Sequence, residues 1–413
     1  MSNQININDC PVKEKNELLI NKKNSNVFEI SPKTRTIIIF SVTTGLIFMI
    51  LISSIIALEL DDDSDDNSND SKIIKNSIRA IYSEDDRIEV KLFNSKYTNS
   101  VSSLIIDGVL SSTISNNLLF NLSGMHRVEI VFKKNLNSTA QMFEYCSKLT
   151  EVDLSNFETQ NIESMEEMFF SCEALTSINF NNFNTGKVKN MKGLFYGCTI
   201  LNSINLKNFD TSNVEDMSKM FYGCEGLPNI DIANFKTSKV KDMNKMFYDC
   251  YSVKSFDLSN FDTSKVINME GMFSLCNSLQ NINIKSFDTS EVTDMSYMFG
   301  ANFALTSIDL NNFKTSKVTK IINMFYNCGT LTSLDLSKFD TSEVEDMGEL
   351  FGNCFNLGYI DIRNFNTQNI KEIKNIFNGV NSTGELYYNS KIFDNNLLNF
   401  SSLENWTIID ISK

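Results

Sequence analysis

Residues 216–241 read DMSKMFYGCEGLPNIDIANFKTSKVK, and the same pattern returns every 26 residues. Phe221 has counterparts at Phe143, Phe169, Phe195, Phe247, Phe273, Phe299, Phe325, Phe351 and Phe377, with no insertion or deletion between them. So strict a period means one unit stacked on copies of itself, a solenoid. The place to look for function is then a long repeated surface rather than a single pocket.

Two periodicities divide the unit. Met217, Met220, Phe221 and Cys224 stand at i, i+3, i+4 and i+7, one face of a short helix. Asp216 sits where an N-cap belongs, and Ser, Asn or Asp fills most equivalent positions (Ser164, Asn190, Asp242, Asn268, Asp294, Asp346). Gly197, Gly223, Gly379, Asp249, Asn327 and Asn353 suit a left-handed C-cap. The period then drops to two, with Ile230 and Ile232 inward and Asp231 outward on a short strand. A second unbroken Phe column (Phe157 through Phe365) is followed two residues on by Thr in every copy. A Thr hydroxyl can hold the tight turn that closes each coil. The prediction is an α/β solenoid with one short helix and one short parallel strand per coil, nine coils over residues 141–379.

The stretch MFYGCEGLPNIDIANFKTSKVKDMNKMF (220–247) resembles the repeat of the BspA-like leucine-rich family, with its core F-x-x-C-x-x-L-x-x-I-x-L. The resemblance covers Gln141 to Gly379. It implies a leucine-rich solenoid on a cell surface, with adhesion to host or matrix components as the usual role.

The flanks add a topology. Ile37–Leu58 is 22 residues without a charge, about 33 Å as a helix against a bilayer core of about 30 Å. Lysines and arginines precede it (Lys13, Lys15, Lys22, Lys23, Lys33, Arg35), and Glu59 and Asp61–Asp63 follow. The basic side stays in the cytoplasm. The expected order is a cytoplasmic tail (1–36), a single-pass signal anchor (37–58), an acidic disordered linker (59–74) and a β-rich N-terminal cap (75–140). The repeats (141–379) and a C-terminal cap (380–413) then lie outside the cell. Glycosylation acceptors at Asn69, Asn121, Asn137, Asn381, Asn399 and Asn405 fit that placement.

Net charge of −14 with a pI near 4.7 argues against nucleic acid as a partner. His126 is the only histidine, and no Walker, GxGxxG or HExxH pattern occurs, so no catalytic constellation is assigned. Two surface rows are candidates for binding a glycan or an extended protein. The outward strand position carries Asp153, Asp231, Asp257, Asp309, Asp335 and Asp361, a row that could also take up calcium through oxygen ligands or simply be solvated. Phe170, Tyr196, Tyr222 and Tyr248 share another register, either as an exposed row that stacks on sugars or as packing between coils. Eight Cys hold one register with Asn302 in the missing place, readable as buried thiols or as disulfides between coils. Recognition and adhesion, a structural surface coat, and an enzyme or receptor are the competing functions, in that order.

Overall fold

The computed structural model describes residues 75–84, 88–371, 373–394 and 403–413. The tail, the 37–58 stretch, the acidic linker and the acceptors Asn69 and Asn399 lie outside these. Among the described residues no helix is long and apolar enough to cross a membrane. The chain is a β-solenoid of about ten turns with almost no helix, joined to a β-rich sheet at its N-terminal end.

The expected helices are absent, and the backbone shows why. In the coil at 191–198, the amides of Met191, Gly193, Phe195 and Gly197 donate to Asp216, Ser218, Met220 and Tyr222 of the next coil at 2.7–3.0 Å. Leu194, Tyr196 and Cys198 instead donate to the carbonyl three residues back in their own coil. Alternate amides are thus spent between coils, which leaves too few for the i to i−4 ladder of an α-helix. Each coil also places two residues in the left-handed region, four apart: Gly193 and Gly197 (φ 58° and 69°), or Lys245 and Asp249 (φ 53° and 57°). A helix stops at one such residue; a run of tight turns uses both. The face read as helical is still the buried one, since Met217, Met220, Phe221 and Cys224 are all fully enclosed. Asp216, read as a helix cap, accepts the amide of Ser218 at 2.8 Å and pairs in a parallel bridge with Asn190 and Asp242.

On the opposite side the expected strands form a broken column. Ser255–Asp257 pairs in parallel with Asn281–Asn283, and Ser333–Asp335 with Tyr359–Asp361. Residues 203–205, 229–231 and 307–309 run past without strand pairing. Pro228, which has no N–H, immediately precedes one of these gaps. Coil-to-coil backbone bonding is therefore continuous through the turn segment and intermittent through the strands.

Side chains fill and staple the stack. Phe143 through Phe377 stack ring on ring, with centroids 5.5–6.2 Å apart. The Thr column is buried and acts between coils rather than within its own turn. Thr263 Oγ1 donates to the Asp288 carbonyl at 2.8 Å and accepts the Asp288 amide at 2.8 Å.

Both ends continue this logic. Ser77–Glu84 pairs antiparallel with Leu149–Asp153 of the first coil and with Gly124–Phe132. The first coil's carbonyls receive donors from the segment at 94–97: Tyr97 Oη bonds Ala140 O at 2.7 Å, and Asn94 N bonds Met142 O at 2.8 Å. At the other end Gly384–Tyr388 and Trp406–Asp410 add two more parallel strands beside Tyr359–Asp361, so this region extends the solenoid's sheet.

Candidate functional site

The outward strand row separates into distinct environments. Asp231, Asp257, Asp309 and Asp335 are exposed on successive or alternate coils. Each uses one carboxylate oxygen to accept the amide two residues on, at 2.9–3.4 Å. That bond fixes the carboxylate's direction and leaves the second oxygen for other donors. The Ser259 hydroxyl and amide hold the Asp257 carboxyl below its ordinary range, and the Ser337 hydroxyl does the same for Asp335. Asn283 Nδ2 donates to Asp257 at 2.9 Å, so Asn neighbours relieve the repulsion of a carboxylate ladder.

Around Ser255–Asp309 the row borders a shallow groove of about 460 Å³, which includes Asp257, Asn281, Asn283, Ser307 and Asp309. Ile282 and Ile308 line it and are only partly buried. The groove coincides with the lapse in strand pairing at 307–309.

Two members of the row do not belong to this surface. Asp361 is 1% exposed, and its carboxylate is gripped by the Arg363 guanidinium, with Nε 2.9 and 3.0 Å from the two oxygens and Nη2 on Oδ2. The D-x-R spacing carries this pairing in the sequence. Asp153 is half-buried beside Arg79 of the neighbouring antiparallel strand and accepts Asn179 Nδ2 at 2.9 Å. Among the described residues no group of three His, Cys, Asp or Glu could hold a metal ion.

The aromatic row is half-buried and stacked on itself. Phe170, Tyr196, Tyr222 and Tyr248 stack face to face at 4.2–4.5 Å, so most of each ring's face is covered by its neighbour. Burial pushes the Tyr196 and Tyr222 hydroxyls up. What sequence reasoning missed lies one register beyond Cys: Tyr251, Phe303 and Phe355 are 50–61% exposed. Their signal, a 52-residue spacing, hides beneath the 26-residue repeat.

The Cys column is structural. All eight described thiols are free and buried, and Cys224 Sγ donates to the Phe195 carbonyl of the preceding coil at 3.2 Å. Asn302 takes the same role, with Nδ2 on Phe273 O at 2.9 Å, which explains the exchange of residue type. His126 joins two loops of the N-terminal sheet region, its ring nitrogens 2.8 Å from Asp107 Oδ2 and 2.7 Å from Leu122 O. It also stacks on Phe120 at 3.8 Å. Of the acceptors, Asn121, Asn137 and Asn405 are exposed, and Asn381 is half-buried.

No curated protein and no solved structure matches this chain. A family model described as "Mycoplasma protein of unknown function, DUF285" matches residues 137–256, 201–306, 251–354 and 304–407. These matches overlap without a gap from 137 to 407, across every regular coil, and the chain belongs to the DUF285 family.

Proposed function

We propose that this chain is a non-catalytic surface recognition or adhesion protein of the BspA-like leucine-rich type. In this reading its solenoid stands outside the cell on a single-pass anchor and holds an extended ligand along the strand face. The observation that carries it is the exposed row Asp231, Asp257, Asp309 and Asp335, which repeats the same oriented carboxylate at coil spacing and borders the groove at Ser255–Asp309. One weak contact per coil adds up when the ligand is itself repetitive.

Placement comes first in the test. An epitope tag after Lys413 should stain intact cells; staining only after permeabilisation would remove the adhesion reading. Screening of the displayed chain against glycans and matrix proteins follows. Asp257→Asn or Asp309→Asn alone should weaken binding roughly fivefold, the loss of one coil's contact of about 1 kcal/mol. Abolition by either substitution would show a single focal site instead.

A further inference from the structure

We infer that the solenoid corner at Tyr251, Phe303 and Phe355 binds a neutral β-1,4-linked glycan, with alternate sugars stacking on the three rings. This names a ligand class for the proposed function and rests on the outward placement assumed there. The register occupied by these rings holds Ser147, Glu173, Thr199 and Glu225 in the earlier coils. From residue 251 onward it turns aromatic in every second coil, with Asn277 and Gly329 between.

The three rings are 50%, 50% and 61% exposed, unlike the self-stacked tyrosine column. Phe355 lies back over the preceding coil: a Cβ added at Gly329 would stand 3.3 Å from Phe355 Cδ2. A small residue at 329 therefore leaves room for this ring, which stays 61% exposed.

The spacing selects the ligand. Coils about 4.8 Å apart put the backbone positions that carry rings two coils apart at about 10 Å. A pyranose linked through O1 and O4 is about as long as one coil spacing. In a β-1,4 chain each sugar is turned over relative to the last, so the same face recurs at every second residue. Such a chain is straight, whereas an α-1,4 chain coils away from a linear row. The C–H face of a pyranose packs on an aromatic face, and that contact needs no charge. Exposed Lys254, Gln280, Thr306 and Thr332 occupy the register between the rings and the strand face, where sugar hydroxyls require hydrogen-bond partners. The chain's net charge of −14 disfavours an anionic polysaccharide.

The test is calorimetric titration of the full-length chain, in mild detergent, with chitohexaose, cellohexaose and maltohexaose. At least one of the two β-linked hexasaccharides should bind and maltohexaose should not. Tyr251→Ala, Phe303→Ala and Phe355→Ala should each weaken binding roughly three- to tenfold. The triple substitution should abolish it with circular dichroism unchanged. Equal binding of maltohexaose, undiminished binding by the triple variant, or no binding of either β-linked oligosaccharide overturns the inference. If a matrix protein is then held through Asp257 and Asp309, the proposed function stands without this site. If intact cells never display the solenoid, both fall.

Discussion

Replacing Thr263 by Val tests whether the threonine column ties coil to coil. The two side chains are nearly the same shape, and Thr263 is fully buried. The change therefore removes the hydroxyl and little else. That hydroxyl makes two 2.8 Å bonds to the backbone of Asp288 in the next coil, one as donor and one as acceptor. Each is worth about 1 kcal/mol net, and the stranded N–H and C=O add a desolvation penalty, so about 2–3 kcal/mol should be lost. Thr263→Ser keeps both bonds and loses one methyl group, which costs about 1 kcal/mol. The assay is urea denaturation paired with native-state hydrogen exchange at the Asp288 amide, because a solenoid can open locally. A loss of 2 kcal/mol appears there as roughly 30-fold faster exchange. A Val variant within about 0.5 kcal/mol of the parent, or a Ser variant less stable than the Val one, would refute the stapling role.

Asn302→Cys should raise stability by about 1 kcal/mol in the same denaturation assay. It keeps a donor for the Phe273 carbonyl and removes Asn302 Oδ1, a buried atom with no hydrogen-bond partner; a less stable variant would count against this account. The column thiols should resist thiol reagents at pH 8 until denaturant is added, because burial pushes Cys146 and Cys328 up to about 12 and the others upward as well. Rapid labelling of the native chain would contradict that. Burial opposes a charge on His126, but its bonds to Asp107 and Leu122, with the Asp107 and Glu84 carboxylates nearby, outweigh it and raise the pKa above 6.5. The group's contribution is then fully present below pH 6.5 and is lost as pH rises through the raised value. With the intrinsic pH dependence of exchange divided out, protection of the Arg127 amide, which donates to Asp107 at 2.8 Å, should fall over that rise in the parent and not in His126→Phe.

The repeat and its buried columns were legible because burial depends on spacing alone. Met217, Met220, Phe221 and Cys224 fall on one side whether the backbone is a helix or a chain of turns, since both repeat after three to four residues. What separates the two is a second left-handed residue in each coil. That position holds Glu167, Gly193, Lys219, Lys245, Gly271, Tyr297, Asn323, Glu349 and Asn375, which share no side-chain signature. The other left-handed position, rich in Gly and Asn, is visible in the sequence but suits a helix end equally well. Along the strand row, Asp361 carried the same letter as Asp231 while its environment was set by Arg363. Tyr251, Phe303 and Phe355 escaped notice because each coil inspected singly shows at most one of them.

The turn ladder also gives the molecule an electrical direction. In each coil four peptide groups lie along the solenoid axis with their N–H toward the C-terminal end, and each hydrogen-bonds to the next coil in line. These four files outnumber the one that runs the other way (Lys189 N to Glu163 O and its counterparts), so the aligned peptides sum to an axial dipole with its negative pole at the first coil, as aligned peptides do in a helix. The groups gathered at that pole have the matching sign: the Asn94 amide, the Tyr97 hydroxyl, and Lys96, whose Nζ lies 3.0 Å from Gln141 Oε1. Stacking on this structure is therefore vectorial. At the carbonyl pole a further coil would first have to displace the donors of the N-terminal sheet region.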